Sequence, residues 1–147
     1  MIPSFRLRAE AEGKERSMEH PTAYRTRKID GLSIFYRETG PKGAPPLLLL
    51  HSLPSSSRMF EPLFGRLSDR CRLVAPDYPG FGHSDWPDPK TFAYTFDHYA
   101  EILNHFTEAL GLSRYTLYMQ DYGGGPWASA WPWPIRTGSR LSSSRTL

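Results

Sequence analysis

Three short and mostly apolar runs, each followed by a polar or glycine-rich segment, constrain the fold of this chain most strongly. The most apolar run is Pro46–His51, and the other two are Cys71–Ala75 and Tyr115–Met119. A short run of this kind is typical of a buried parallel strand that is covered on both faces. Helical patterns separate the runs, so the sequence predicts that strands and helices alternate.

Two helices are predicted between these strands. Three serines before the first helix are candidate N-caps, namely Ser55, Ser56 and Ser57. Apolar residues follow them at helical spacing: Met59, Phe60, Leu63, Phe64 and Leu67. Thr95 is the candidate cap of the second helix, and Gly111 is its terminator. The apolar stripe of this helix, predicted as core packing, is Phe96, Tyr99, Ile102, Leu103, Phe106 and Leu110.

A hairpin is predicted at the N-terminal side of these elements. Leu32–Glu38 alternates between apolar and polar residues, and Ala23–Ile29 does so in part. Asp30-Gly31 between them is a strong two-residue turn signal. The predicted fold class is therefore α/β. It has an N-terminal hairpin, then parallel strands with helices on both faces, and an irregular C-terminal tail.

Composition excludes several functional classes. Hydrophobic residues make up 39% of the 147 residues and charged residues 22%, which is typical of a globular chain. The longest apolar run, Leu47–Leu50, is too short to span a membrane. The net charge of +3 comes from the tail, which holds Arg136, Arg140, Arg145 and no acid after Gly123, so no nucleic-acid partner is expected. A single cysteine, Cys71, favours a cytoplasmic location and gives no cysteine-based metal site.

Residues with polar or reactive side chains follow each of the three predicted parallel strands. They are His51-Ser52-Leu53-Pro54, then Asp77 to Asp85 in a Gly/Pro loop, and then Asp121 with Tyr122, Gly123 and Gly124. In open α/β sheets, ligands bind at the carboxyl ends of the strands, so these segments predict the site. The five histidines show no metal-ligand spacing, and we expect no metal and no organic cofactor.

From Tyr24 to Gly124 this ordered set resembles the α/β-hydrolase superfamily, and within it the haloalkane dehalogenase and epoxide hydrolase group. The resemblance implies that Asp121 is a nucleophile on a sharp strand-to-helix turn, with Gly123 and Gly124 as the glycines of that turn. It also implies that the backbone N–H groups of Leu53 and Tyr122 stabilise an oxyanion.

An aspartate nucleophile attacks carbon directly. A carboxylate displaces halide or opens an epoxide at an sp3 carbon and leaves an alkyl ester, which activated water then hydrolyses. The resemblance thus implies a small apolar epoxide, haloalkane or ester as the substrate. Three positions depart from the group: Ser52 stands where glycine is usual, Leu53 where dehalogenases often have asparagine, and Tyr122 where they often have tryptophan. These departures weaken the dehalogenase alternative and leave epoxide or ester hydrolysis open.

The same residue types also fit roles other than catalysis. Asp121 alone is also a good helix N-cap. His51 is interpreted as a buried structural histidine bonded to backbone, and His83 and Asp85 as braces of their loop. A serine hydrolase that uses Ser52 or Ser84 is disfavoured, because neither serine lies on a strand-to-helix turn with the required glycines.

The last segment, Gly125–Leu147, does not fit the rest of the pattern. Its prolines deny it the helix expected after the turn, and all five histidines precede Asp121, whereas the catalytic histidine of this group follows the nucleophile. We therefore expect a frameshifted tail and a chain without turnover. The alternative is a non-catalytic binding module that uses the tryptophans and arginines of the tail.

The predicted organisation has three parts. Residues 1–20 are a loose leader, within which Met18 is an alternative start, residues 21–124 are the N-terminal half of a hydrolase core, and residues 125–147 are the aberrant tail. The strand at Tyr115–Met119 would lack its next neighbour, and an unpaired apolar edge favours self-association or aggregation.

Overall fold

A computed structural model of the chain describes residues 20–120. Five strands form one mixed sheet: β1 (Ala23–Ile29), β2 (Leu32–Thr39), β3 (Pro46–Leu50), β4 (Arg72–Pro76) and β5 (Thr116–Met119). A 3-10 turn (Ser57–Phe60) leads into α1 (Glu61–Leu67), and α2 (Phe96–Ala109) lies between β4 and β5. The element order predicted from the sequence is confirmed. The predicted leader up to Glu19 and the tail from Gly125 lie outside the described residues, as do Asp121, Tyr122, Gly123 and Gly124.

The N-terminal hairpin forms where the turn signal predicts it. Ile29 pairs with Leu32 across the turn, and the antiparallel register continues to Ala23 opposite Glu38. Asp30 and Gly31 both have positive φ, at 49° and 82°. A two-residue hairpin turn of this type requires positive φ at both central residues, and Asp-Gly accepts it with little strain.

Among the three parallel strands, β3 lies in the middle. The sheet order is β1-β2-β4-β3-β5, so β3 has β4 on one side and β5 on the other, both parallel to it. The chain therefore leaves all three strands at the same edge of the sheet. Leu50 pairs with Met119, and the N–H of Gln120 donates to the carbonyl of Leu50 at 3.4 Å, which brings the end of β5 beside the end of β3.

Helices cover both faces of the sheet, as predicted. On one face α1 and the 3-10 turn pack Phe60 and Phe64 against strand residues, in a buried cluster completed by Leu49, Leu73 and Ala75. On the other face the stripe of α2 packs against a larger cluster that includes Leu48, Leu50, Val74, Ile102, Leu103 and Phe106. The interpretation of that stripe as core packing is confirmed.

The ends of the helices follow the predicted caps, with one difference. The side chain of Thr95 accepts a hydrogen bond from the N–H of His98, and Gly111 follows α2 with a φ of 67°. The first predicted helix instead begins as a 3-10 turn that is capped by Ser56. Pro62 explains this, because it has no N–H to donate to the carbonyl of Arg58, which accepts from the N–H of Glu61 instead.

Arg37 is buried, although the alternation of β2 places it on the face opposite Ile34 and Tyr36. Only 4% of the residue is exposed. One guanidinium nitrogen donates to the hydroxyl of Ser57 at 2.5 Å, and Glu61 lies 3.5 Å from its Nε. The 3-10 turn and α1 therefore cover this face of β2, and they give the arginine a hydroxyl and a carboxylate as partners.

Two further observations concern the described residues alone. None of their helices is long and apolar enough to cross a membrane, and no group of three or more His, Cys, Asp or Glu side chains among them could hold a metal ion. Within residues 20–120, β5 is an edge strand on which Tyr118 is 40% exposed. Self-association through this edge stays a prediction.

Candidate functional site

The edge where the parallel strands end carries two loops, residues 51–57 after β3 and residues 77–85 after β4, and also Gln120 after β5. β4 and β5 extend to opposite sides of β3, so the crevice between the loops is the place where an open α/β sheet binds its ligands. Leu53, a predicted site residue, lies in the first of these loops, and Asp121 is the residue that follows Gln120 in the sequence.

His51 is fully buried, and its bonds fix its tautomer. The backbone N–H of Tyr78 donates to Nε2 at 3.1 Å, so Nε2 carries no proton. The proton is therefore on Nδ1, which lies 2.8 Å from the carbonyl oxygen of Ser52 and donates to it. Burial lowers the pKa of His51 below its ordinary value, against the opposing effects of the Ser52 carbonyl and Asp77. The interpretation of His51 as a structural residue bonded to backbone is confirmed.

This bond also orients the peptide that carries a candidate oxyanion donor. The carbonyl of Ser52 and the N–H of Leu53 belong to one peptide unit, and in a trans peptide they point in opposite directions. Because the carbonyl faces the ring of His51, the N–H of Leu53 is directed away from that ring. His51 therefore acts on the site by holding a backbone group, and it has no base-like nitrogen left for a substrate.

Asp77 joins the two loops through its buried carboxylate. Oδ1 accepts the N–H of Ser57 at 2.6 Å, and Oδ2 accepts the N–H of His83 at 2.9 Å. Gly82 makes room for this carboxylate, since a Cβ on Gly82 would lie 2.0 Å from Oδ2. The φ of Gly82 is +53°, so a side chain is excluded for two reasons.

The loop after β4 is fastened to β2 by side chains that bond backbone groups. The hydroxyl of Ser84 accepts from the N–H of Phe35 at 2.9 Å and donates to the carbonyl of Asp77 at 2.7 Å. The carboxylate of Asp85 accepts from the N–H of Ser33 at 2.7 Å. The predicted bracing role of Asp85 is confirmed, and Ser84 is a buried brace rather than a nucleophile.

His83 contributes to this loop mainly through its backbone and its ring. Its N–H bonds the carboxylate of Asp77, and its imidazole packs edge-on against Phe35 with ring centroids 4.9 Å apart. The residue is exposed. These contacts confirm the predicted bracing role.

A pocket of about 420 Å³ opens beside Leu53. It runs from Leu53 and Gly80 along the segment that precedes and begins α2, here called the rim segment (residues 86–96). Its walls are mostly aromatic rings: Phe81, Trp86, Tyr94, Phe96 and Tyr99. About 300–1,000 Å³ is the usual size of a small-molecule site, so the pocket is large enough for a small ligand.

Sequence reasoning found one described site residue and missed others. Leu53 was expected at the edge, and the structure places it there. The joining role of Asp77, the burial of Arg37 and the aromatic rim were not predicted. The role of Asp77 could have been predicted from the sequence. A carboxylate that follows a buried strand and precedes a Gly-rich loop can accept hydrogen bonds from the backbone N–H groups of that loop.

Comparisons with known proteins agree on one family. The alpha/beta hydrolase fold family matches residues 45–129. An uncharacterized hydrolase of Saccharomyces cerevisiae is 37% identical over 64% of this chain and 32% of its own length. Haloalkane dehalogenase 2 of Mycobacterium tuberculosis is 44% identical over 54% of this chain and 27% of its own length.

Solved structures give the same result. The haloalkane dehalogenase DbeA from Bradyrhizobium elkani superposes with a TM-score of 0.66 at 32% identity, over 70% of this chain and 34% of that chain. A bacterial membrane phospholipase A superposes with a TM-score of 0.66 at 31% identity, over 70% of this chain and 33% of that chain. The chain thus spans about a third of the length of the proteins it matches.

Proposed function

This chain belongs to the alpha/beta hydrolase fold family, in its haloalkane dehalogenase group, and on that premise we propose a hydrolase site with an aspartate nucleophile. In this proposal Asp121 attacks the substrate carbon. The backbone N–H groups of Leu53 and Tyr122 stabilise the oxyanion, and Gly123 and Gly124 allow the sharp turn.

One observation carries the proposal. The N–H of Gln120 donates to the carbonyl of Leu50, which places Gln120 beside the end of β3, and Asp121 is the next residue in the sequence. His51 and Leu53 follow that same strand end. Because Gln120 lies at the edge where the oriented Leu53 peptide and the aromatic pocket are found, its position supports the choice of Asp121, the next residue in the sequence, as the nucleophile.

The chemistry that fits this arrangement is attack at an sp3 carbon. The Asp121 carboxylate forms a C–O bond to an epoxide carbon while the ring C–O bond breaks, and the released alkoxide takes a proton from solvent. With a haloalkane the same attack releases halide. Because Leu53 has no side-chain donor for a departing halide, we place small apolar epoxides and esters ahead of haloalkanes as substrates.

The positions of the histidines in this 147-residue chain predict a stalled reaction. No histidine occurs among residues 122–147, and His51 is held between two backbone groups with a lowered pKa. Without a base to activate water, the ester on Asp121 would persist. We therefore propose that the 147-residue chain reacts once and does not turn over.

Peptide-mapping mass spectrometry tests this proposal. The purified 147-residue chain is incubated with a small epoxide, digested and mapped, with Asp121→Asn as the matched variant. We expect one adduct of the full epoxide mass on the peptide that contains Asp121, and none on the variant. Adducts of equal yield on both proteins would place the reactive group elsewhere and reject Asp121.

A further inference from the structure

Within residues 20–120, the aromatic pocket adjoins the proposed reaction site at Leu53. Leu53 lines one end of the pocket, and the rest of its wall comes from the loop after β4, the rim segment and the first turn of α2. A ligand in this pocket therefore touches the residue whose N–H we assign to the oxyanion. The pocket is well placed to hold the non-reacting part of a substrate.

Part of the wall is made of two tyrosine rings, Tyr94 and Tyr99, that pack against neighbouring residues. Tyr94 lies against Gly80 so closely that a Cβ on Gly80 would be 2.8 Å from its Cε1 atom. Tyr94 and Tyr99 meet edge to face, with ring centroids 6.3 Å apart. Glycine at position 80 thus allows the tyrosine ring to form the wall.

The polar atoms of these tyrosines are directed to backbone carbonyls. The hydroxyl of Tyr94 donates to the carbonyl of Pro87 at 2.6 Å, and that of Tyr99 donates to the carbonyl of Pro79 at 3.1 Å. Burial, and then the neighbouring Tyr94, raises the pKa of Tyr99 to about 12, so this wall stays neutral at any ordinary pH. None of the described residues that line the pocket carries a charge.

Trp86 stands at the mouth of the pocket with 73% of its surface exposed. A tryptophan is highly buried on average, so the exposed ring of Trp86 is unusual and is accessible to a ligand in the pocket. Its ring is not needed to fill either core cluster.

We propose that this pocket binds an aryl group of the substrate, with the reactive carbon held at the Leu53 end. Aromatic rings favour edge-to-face and offset contacts with other rings beyond simple burial of area, and five ring-bearing residues surround the space. The assignment of the reacting end rests on the function proposed above, whereas the binding of the aryl group does not depend on Asp121.

The first test measures binding without catalysis. The probes are the diols of benzyloxirane and of cyclohexylmethyloxirane, which share their polar end and differ in whether the ring is aromatic. Binding to the full 147-residue chain is followed by NMR through the indole N–H of Trp86. We expect the aryl diol to bind about three- to tenfold more tightly than the cyclohexyl diol.

Two exposed aromatic residues supply the matched variants. Trp86→Leu keeps an apolar side chain at the mouth and should remove most of the preference for the aryl diol, measured through the remaining backbone amides of the rim segment. Tyr118→Leu changes an exposed ring on β5, outside this pocket, and should leave the preference unchanged. Equal affinity for the two diols, no detectable binding of either, or equal effects of the two variants would each overturn the proposal.

The second test separates this inference from the proposed function. The rate of adduct formation on Asp121 is compared for benzyloxirane and cyclohexylmethyloxirane, whose reacting carbons have the same substitution. A faster reaction of the aryl compound, lost in Trp86→Leu, supports both proposals. Equal adduct rates would reject the aryl pocket and leave the nucleophile standing, whereas aryl-selective binding without an adduct would reject the nucleophile alone.

Discussion

Two neighbouring regions at the carboxyl edge of the sheet differ in the interactions that their side chains make. The loop from Asp77 to Asp85 is held by hydrogen bonds between buried side chains and backbone groups. The rim segment presents aromatic side chains, of which Trp86 is largely exposed. The first region has little freedom to move without losing buried bonds, while the second could change its side chains at small cost. Positioning and recognition are therefore assigned to separate segments, and variants can test that separation.

The largest effect is expected at Asp77. Asp77→Asn replaces one carboxylate oxygen by an amide NH₂, which donates and cannot accept, so one of the two backbone N–H groups, that of Ser57 or that of His83, loses its acceptor. Leaving a buried backbone N–H unpaired next to another donor should lower the free energy of unfolding by about 2–5 kcal/mol in urea denaturation. Asp88→Asn in the exposed rim segment should change it by less than about 1 kcal/mol. Equal effects would remove the distinction between the two regions.

Alanine substitutions at three glycines with positive φ test the same difference between the regions. Alanine at Gly31 meets open space, so Gly31→Ala should cost only the backbone strain, about 1 kcal/mol. Gly80→Ala must also displace the ring of Tyr94, and Gly82→Ala must displace the buried carboxylate of Asp77. We expect the loss of unfolding free energy to rise in the order Gly31, Gly80, Gly82, with about 1–3 kcal/mol between first and last. If Gly82→Ala is no worse than Gly31→Ala, the carboxylate is not held as described.

The smallest effect concerns pH and sets His51 against His105. The folded pKa of His51 lies below its unfolded value because of burial, so its contribution to stability is present above about pH 6.5 and is lost as the pH falls. The hydrogen bond from His105 to Asp30, 2.7 Å long, raises the pKa of His105, so that contribution is present below about pH 6.5 and is lost as the pH rises.

Urea denaturation between about pH 8 and about pH 5 measures the balance of the two histidines. His51→Gln should flatten the loss of stability on acidification, and His105→Gln should make that loss steeper. Opposite signs for the two variants are the expected result. The same slope in both variants and in the parent chain would show that neither histidine has the pKa shift described.

Much of the fold was readable from the sequence because local signals agreed with one another. The Asp-Gly turn, the cap at Thr95 and the stop at Gly111 act within a few residues, so their geometry does not depend on the rest of the chain. The burial of Arg37 was not readable. It depends on α1 and the 3-10 turn covering β2, a contact between segments about twenty residues apart.

The candidate site was only partly readable for the same reason. Motif order placed Leu53 at the carboxyl edge, but the bond from His51 to the Ser52 carbonyl needs the ring to be fixed by Tyr78, which belongs to another strand end. The aromatic pocket forms where the rim segment folds back over Gly80, a long-range packing that periodicity does not encode. Asp121, Tyr122, Gly123 and Gly124 lie outside the described residues, and their roles stay predictions.

The most direct test of the central claim follows the mass of the Asp121 peptide over time after a brief exposure of the 147-residue chain to benzyloxirane. We predict a single adduct of the epoxide mass that appears in the parent chain, is absent from Asp121→Asn, and persists because residues 122–147 contain no histidine. No adduct on Asp121, or an adduct on Asp121 that disappears while diol accumulates over many turnovers, would contradict it. The first result would remove the nucleophile, and the second would show that another group in this chain activates water.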